Sequence, residues 1–148
     1  MISVLLVGNG NVAFHLKNAF LQADNIQVTQ INSRKFENIP EADVAIIAVS
    51  DDAIAEVSSK MNTNLVVHTS GACEMDELQN SKRKGVFYML QTFSKDKELD
   101  FSEVPFCLEA ENNDDYKILE KLAKSIGKKV YQIDSKQRKV LHVSAVFV

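Results

Sequence analysis

The sequence predicts an α/β fold with a doubly wound, mostly parallel sheet that carries helices on both faces. Runs at residues 2–7, 44–49 and 65–67 are apolar at nearly every position, which is typical of strands buried on both sides. Segments with helical spacing of apolar residues alternate with the predicted strands. Because 148 residues suit one hydrophobic core, we expect residues 1–148 to form a single domain.

Two glycines join the first predicted strand to the first predicted helix. Gly8 would let the chain turn tightly, and Gly10 would let a pyrophosphate approach the backbone. Ala13 stands where the dinucleotide-binding fingerprint has a third glycine, and it is small enough for close packing. The helix, expected from Val12 to about Gln22, would point its free N–H groups at the phosphates. This pattern predicts a Rossmann-type binding turn, with a tight turn that binds nothing as the alternative.

The second predicted strand, residues 26–31, ends at a basic turn. An Asp or Glu at this position would hydrogen-bond the adenosine ribose of NAD. No acid occurs before Glu37, whereas Ser33 and Arg34 offer a hydroxyl and a guanidinium that suit the 2′-phosphate of NADP(H). An ordinary solvated turn is the alternative. The connection at residues 35–43 has no room for a full helical crossover, so we expect a reduced crossover or an irregular turn.

Polar residues follow the third predicted strand, at the edge where parallel sheets bind ligands. Val49 and Ser50 lie at this strand end. We expect Ser50 or Asp51 to cap the next helix, and we interpret Asp51 and Asp52 as caps rather than catalytic acids.

The fourth predicted strand is followed by a histidine and two hydroxyl residues, His68-Thr69-Ser70, at the same ligand-binding edge of the sheet. His68 could relay a proton or orient an amide, because an imidazole titrates near neutrality; alternatively, it only hydrogen-bonds its own loop. Ser70 does not lie on a nucleophile elbow, which argues against covalent hydrolysis. Further along the chain, we expect a short helix at residues 74–79 and a solvated basic face at residues 82–84.

The second half of the chain predicts three further strands and two helices. The strands are expected at residues 85–90, 105–108 and 129–133. The helices are expected between residues 112–115 and Gly127, and from a capping Ser135 onward.

Motifs along the chain resemble the DUF2520-type Rossmann-like proteins, which are relatives of pyrroline-5-carboxylate reductase and of NADP-dependent F420 oxidoreductase. The motifs are Gly8-Asn9-Gly10-Asn11-Val12, Ser33-Arg34, Ala48-Val49-Ser50-Asp51-Asp52-Ala53-Ile54, His68-Thr69-Ser70-Gly71-Ala72, Gln91-Thr92-Phe93-Ser94, Gln137-Arg138 and Leu141-His142.

The resemblance implies that NADP(H) binds in a cleft at the glycine turn. The implied cofactor-binding residues are Gly8, Gly10, Asn11, Val12, Ser33, Arg34, Val49 and Ser50. It also implies that the nicotinamide end lies near Val49, Ser50, His68 and Ser70. Related reductases have a second, helical domain that completes the active site, and we expect that domain to be absent from these 148 residues.

Two functions are compatible with these patterns. The first is the NADP(H)-binding domain of an oxidoreductase that transfers hydride to a small imine, ketone or acid. For this function, His68, Ser70 and Thr92 are the expected groups at the reacting end, with Gln91 in support. The second is a nucleotide-binding regulatory or interaction module without turnover.

The composition of the chain limits the classes of binding partner and the cellular compartment that we expect. The net charge of −3 argues against nucleic acid, and no apolar run is long enough for a membrane span. Cys73 and Cys107 lack metal-ligand spacing and suggest reduced thiols in a cytoplasmic protein, so no metal site is predicted. Helical spacing aligns Val140, Val143 and Phe147, and this apolar stripe predicts a homo-oligomer.

Overall fold

The computed structural model describes residues 1–34 and 37–146 and contains one seven-stranded sheet within them. The strands are Ile2–Val7 (β1), Ile26–Ile31 (β2), Val44–Ile47 (β3), Leu65–His68 (β4), Arg83–Met89 (β5), Pro105–Ala110 (β6) and Lys129–Gln132 (β7). Their order is β2-β1-β3-β4-β5-β6-β7. All neighbours pair in parallel except β5 with β6. The predicted α/β fold with a mostly parallel sheet is confirmed.

Among the described residues, four α-helices cover the two faces of this sheet. They are Asn11–Gln22 (α1), Ile54–Ser59 (α2), Asn113–Ile126 (α3) and Ser135–Val146 (α4). α1 and α3 pack on one face, where Phe20 and Leu122 are fully buried. α2 packs on the other face through Ile54, and α4 reaches that face through Leu141 beside β5. The predicted helices on both faces are therefore confirmed.

The central strands are buried on both sides, as their uninterrupted apolar runs predict. Along β1, Val4 and Leu6 belong to the core under α1, while Leu5 and Val7 belong to the core under α2. Each of these four side chains is at most 1% exposed. Full burial of such a side chain stabilises the fold by about 1.5–3 kcal/mol.

One local prediction near the middle of the chain is wrong. Residues 74–79 form only the 3₁₀ turn Met75–Glu77 rather than a helix. The basic residues 82 and 83 are exposed, as predicted, and residue 83 also begins β5. Arg83 Nε donates to Asp115 Oδ2 across 2.7 Å, and the Asp115 side chain is only 3% exposed. This ion pair joins the start of β5 to the first turn of α3.

The start of α4 also differs from the prediction. Asp134 caps this helix in place of Ser135: Asp134 Oδ1 accepts from the Gln137 N–H, and Gln137 Oε1 accepts from the Asp134 N–H. The Ser135 hydroxyl is consequently available for bonds to other parts of the fold.

The two less regular stretches agree in part with expectation. Between β2 and β3, the described residues contain turns and no helix, whereas Lys35 and Phe36 lie outside the described residues. On α4, Val140 and Val143 are exposed, and the predicted stripe continues to Phe147, which also lies outside them. Self-association stays a prediction. Within the part of the chain that the structure describes, no helix is long and apolar enough to cross a membrane.

Candidate functional site

A cleft of about 860 Å³ opens at the carboxyl ends of the parallel strands. It lies where the strand order reverses, because β2 flanks β1 on one side and β3 to β5 continue on the other. The lining residues are Gly8, Asn9, Gly10, Asn11, Val12, Ser33, Arg34, Ala48, Val49, Ser50, Ala53, Glu56, Val57, Lys60, Thr69, Gln91 and Phe93. The cleft therefore brings together all the residues that the sequence predicts for cofactor binding.

Gly8 gives the floor of the cleft its shape. Its φ of +128° is a conformation that L side chains rarely adopt, and a Cβ atom there would collide with the carbonyl oxygen of Ala48. The Gly8 N–H donates to Ile31 O across 3.0 Å, and its carbonyl accepts from Gln30 Nε2 across 2.7 Å. The turn is thus fixed between β2 and the end of β3.

Gly10 differs from Gly8, because a Cβ atom at Gly10 would meet no atom of the described residues within 4 Å. Gly10 is the N-cap of α1, and no side chain caps this helix end. The first turn of α1 contains no acidic residue. Unpaired N–H groups and the positive end of the helix dipole therefore face an open part of the cleft, an arrangement that favours an anion.

The end of the cleft at β2 is polar and carries both charge signs. Ser33 is half-buried and Arg34 is exposed, and the Arg34 N–H donates to Asn32 Oδ1 across 2.9 Å. Glu56 of α2 and Lys60, which directly follows α2, line the same cleft and form an ion pair of 3.5 Å. Sequence reasoning missed both residues, because their i, i+4 spacing is that of any solvated helical pair.

At the end of β3, Val49 and Ser50 line the cleft, but the expected cap bond is absent from this described segment. Ser50 is the N-cap of the 3₁₀ turn Asp51–Ala53, and no side chain caps it. The Ala53 N–H donates instead to the Ser50 carbonyl across 2.9 Å. The Ser50 side chain is exposed and lies at the ligand-facing edge.

His68 is fully buried at the end of β4 and both its ring nitrogens are hydrogen-bonded. Nδ1 accepts the Ser70 N–H across 3.0 Å, so the ring proton sits on Nε2, which donates to Glu74 O across 3.1 Å. Burial lowers the pKa of His68 from 6.5 to about 4, and the nearby Arg138 charge lowers it further while the bond to Glu74 opposes the shift. His68 is thus a neutral group that orders the loop after β4.

The other residues predicted at the reacting end lie beside the cleft rather than in its lining. Ser70 Oγ accepts the N–H groups of Ala72 and Cys73 at 3.1 and 3.0 Å. Thr92 is exposed, and it does not line the cleft. The immediate neighbours Thr69 and Gln91 do line it.

The segment after β5 is tied to the glycine turn by contacts that the sequence did not reveal. Asn11 Nδ2 donates to Phe93 O across 3.2 Å, and Lys95 Nζ donates to Asn9 O across 3.2 Å. Within α1, His15 Nε2 donates to Ser94 O across 2.6 Å. These partners are 79–86 positions apart in the chain, so no local pattern pairs them.

Comparison with solved structures shows how widely this architecture is shared. The chain is 32% identical to a candidate NADP oxidoreductase from Bacteroides fragilis, with a TM-score of 0.88 over 99% of the chain and 66% of that protein. A semialdehyde dehydrogenase NAD-binding protein from Cupriavidus necator, solved with calcium and NAD, is 15% identical, with a TM-score of 0.72 over 98% and 68%. The NADP-bound pyrroline carboxylate reductase from Plasmodium falciparum is 14% identical, with a TM-score of 0.64 over 91% and 58%.

These proteins are longer than the chain, which spans 58–68% of their lengths. No curated protein matches the chain in sequence. The profile of the family described as a domain of unknown function, DUF2520, matches residues 104–148, which run from the start of β6 through α4. The partial family match and the shared fold agree with the resemblance to Rossmann-like DUF2520-type proteins that the motifs predict.

Proposed function

We propose that the cleft binds a nicotinamide dinucleotide, preferentially NADP(H), and that the chain is the cofactor domain of an oxidoreductase. The observation that carries the proposal is the open space at Gly10, in front of the uncapped end of α1. A pyrophosphate there would receive backbone N–H groups and the positive end of the helix dipole.

The order of the strands sets the direction of the bound dinucleotide. Its adenosine half would lie toward β2, where Ser33 and Arg34 line the cleft. Its nicotinamide half would lie toward β4 and β5, where Thr69 and Gln91 line it. The preference for NADP(H) follows from Arg34, because a guanidinium pairs with a 2′-phosphate and offers nothing comparable to a free ribose hydroxyl.

The proposed chemistry is hydride transfer between the cofactor and a small imine, ketone or acid. The bound cofactor would supply the hydride, and the protein would orient its ring and the substrate. His68, Ser70 and Thr92 remain the residues that we propose near the reacting end. The hydrogen bonding of His68 supports an orienting role for this residue, since neither ring nitrogen is left to exchange a proton.

Calorimetric titration of the 148-residue chain with NADPH, NADP⁺, NADH and NAD⁺ tests the proposal. We expect the phosphorylated cofactors to bind more tightly. Arg34→Ala should weaken NADPH binding by ~1–3 kcal/mol and leave NADH binding nearly unchanged, because only NADPH loses a charge-assisted contact. Lys121→Ala, which removes an exposed cation from α3, is the matched control. Equal affinities for NADPH and NADH would contradict the preference, and binding of none of the four would contradict the proposal.

A further inference from the structure

The last helix meets the loop after β4 along one stripe of its surface. Ser135, Arg138 and His142 are spaced i, i+3 and i+7, so they share a face of α4. Each of them contacts the loop at residues 69–75 or a residue packed against it. Two motifs that are about 65 residues apart in the chain, one on this loop and one on α4, therefore form a single contact region.

Arg138 is the centre of this contact region, with a fully buried side chain. Its Nε donates to Ser70 O across 3.1 Å, and its Nη2 donates to Cys73 O. Its Nη1 pairs with Glu109 Oε1 of β6 across 2.9 Å, which compensates the buried charge. A planar guanidinium with several fixed partners holds these two loop carbonyls in a defined relation to the sheet.

The flanking members of the stripe hold the loop on both sides of Arg138. The Ser135 hydroxyl accepts the Met75 N–H across 3.2 Å and donates to Glu109 across 2.7 Å. His142 Nδ1 lies 3.0 Å from the Tyr88 hydroxyl, and both rings pack against Gly71. A Cβ atom at Gly71 would lie 2.5 Å from His142 Nδ1, so only glycine fits under the helix here.

His68 fixes the loop from the side of the sheet. It binds the Ser70 N–H and the Glu74 carbonyl, while Arg138 binds the Ser70 carbonyl. Both polar backbone atoms of Ser70 are thus held by buried side chains. Among the described residues of this loop, Thr69 alone lines the cleft, and it is joined directly to Ser70.

We propose that Arg138, together with His68, positions Thr69 against the nicotinamide half of the bound dinucleotide. Arg138 is a positioning residue, because it touches the loop and acts on the ligand only through Thr69. The Thr69 hydroxyl can both donate and accept a hydrogen bond, which matches the carboxamide of a nicotinamide ring. The inference rests on the proposed function, and it adds that α4 helps to form the binding site.

Comparing the binding of two ligands distinguishes a positioning role of Arg138 from general support of the fold. NADPH carries a nicotinamide ring on its second ribose, and 2′-phospho-ADP-ribose has a hydroxyl group there instead. We expect wild-type protein to bind NADPH more tightly than 2′-phospho-ADP-ribose. In Thr69→Ala, the ratio of the two dissociation constants should shift toward one by about fivefold, with 2′-phospho-ADP-ribose bound as in the wild type. The double variant Arg138→Met/Glu109→Gln should show the same shift, and the second change removes the carboxylate charge that Arg138→Met alone would leave unpaired.

The control is Arg83→Met/Asp115→Asn, which breaks an ion pair at the other end of β5, and it should leave the ratio unchanged. An unchanged ratio in Thr69→Ala overturns the inference whether or not the double variant folds. Equal weakening of both ligands in the double variant also overturns it, because Arg138 would then support the fold alone. If wild-type protein binds both ligands equally, the inference fails while the proposed cofactor site stands; if it binds neither, both fail.

Discussion

His68 shows how one buried side chain connects the sheet to a loop at the cleft. The Ser70 N–H is directed at Nδ1, so a second proton on the ring would oppose that donor. Burial also disfavours the cation, and the guanidinium of Arg138 adds repulsion. The neutral form with its proton on Nε2 is consequently the form that the fold requires.

Acid sensitivity should follow from this requirement. The pKa of His68 is about 4 in the folded protein and 6.5 for the ordinary group. Between these values the unfolded chain binds a proton that the folded chain does not, so stability is full above pH 6.5 and falls as the pH drops toward 4. The difference corresponds to about 3 kcal/mol.

Urea unfolding of wild-type protein and His68→Gln, measured at intervals from pH 7 to about pH 4, checks this expectation. The variant keeps a neutral polar group and lacks the imidazole, so its stability should fall less steeply over this window. Carboxylate titration contributes equally to both proteins and cancels in the comparison. Parallel curves for the two proteins would show that His68 does not titrate as described.

At the scale of elements, the strands and helices could largely be predicted, because their apolar periodicity is local. The convergence of Gly8, Ser33 and Ser50 could also be predicted, since parallel strands end at a common edge. The loop residue that faces the cleft could not be predicted. Thr69 lines the cleft in place of Ser70, because the Ser70 hydroxyl is hydrogen-bonded to its own loop.

The contacts of Arg138 were equally inaccessible from sequence. Its partners on β6 and on the loop after β4 lie 29–68 positions away, and a helix pattern shows only that the residue falls on the inner face. A buried cation leaves no periodic signature, so the role of α4 at the site emerges only from the tertiary structure.

The glycine turn gives a prediction at this scale, because Gly8 and Gly10 are glycines for different reasons. Gly10→Val should fold with a loss of about 1 kcal/mol at the helix cap, yet lose cofactor binding, since its side chain would fill the space in front of α1. Gly8→Val should destabilise the fold by more than about 2 kcal/mol through strain at positive φ and collision with Ala48.

Thermal unfolding and calorimetric titration of both variants distinguish the two effects. A Gly10→Val protein that is folded and binds NADPH with wild-type affinity would show that the turn is structural only. A Gly8→Val protein with wild-type stability would contradict the conformational argument for that position.

For the whole molecule, the cleft crosses the ends of strands on both sides of β1. Its lining includes Ser33 after β2 and Gln91 after β5. β2 and β5 are the outer members of the five neighbouring strands that run in the same direction. A dinucleotide bound along the cleft would contact the loops that follow these five strands. Binding energy gained there is lost when the sheet unfolds, so occupancy of the cleft and global stability are linked.

This linkage gives a quantitative expectation for the intact chain. A ligand at about 100 times its dissociation constant stabilises the protein that binds it by about 2.7 kcal/mol. For a domain of this size, that corresponds to a rise in Tm of roughly 5–10 °C. Scanning calorimetry with NADPH should show this rise, and 5′-AMP at the same concentration should give a smaller one, because it occupies only the adenosine end. Gly10→Val should remove the response to NADPH. Equal shifts from NADPH and 5′-AMP at the same concentration would show that the ligand does not extend from β2 to β5, and no shift from either would contradict binding in this cleft.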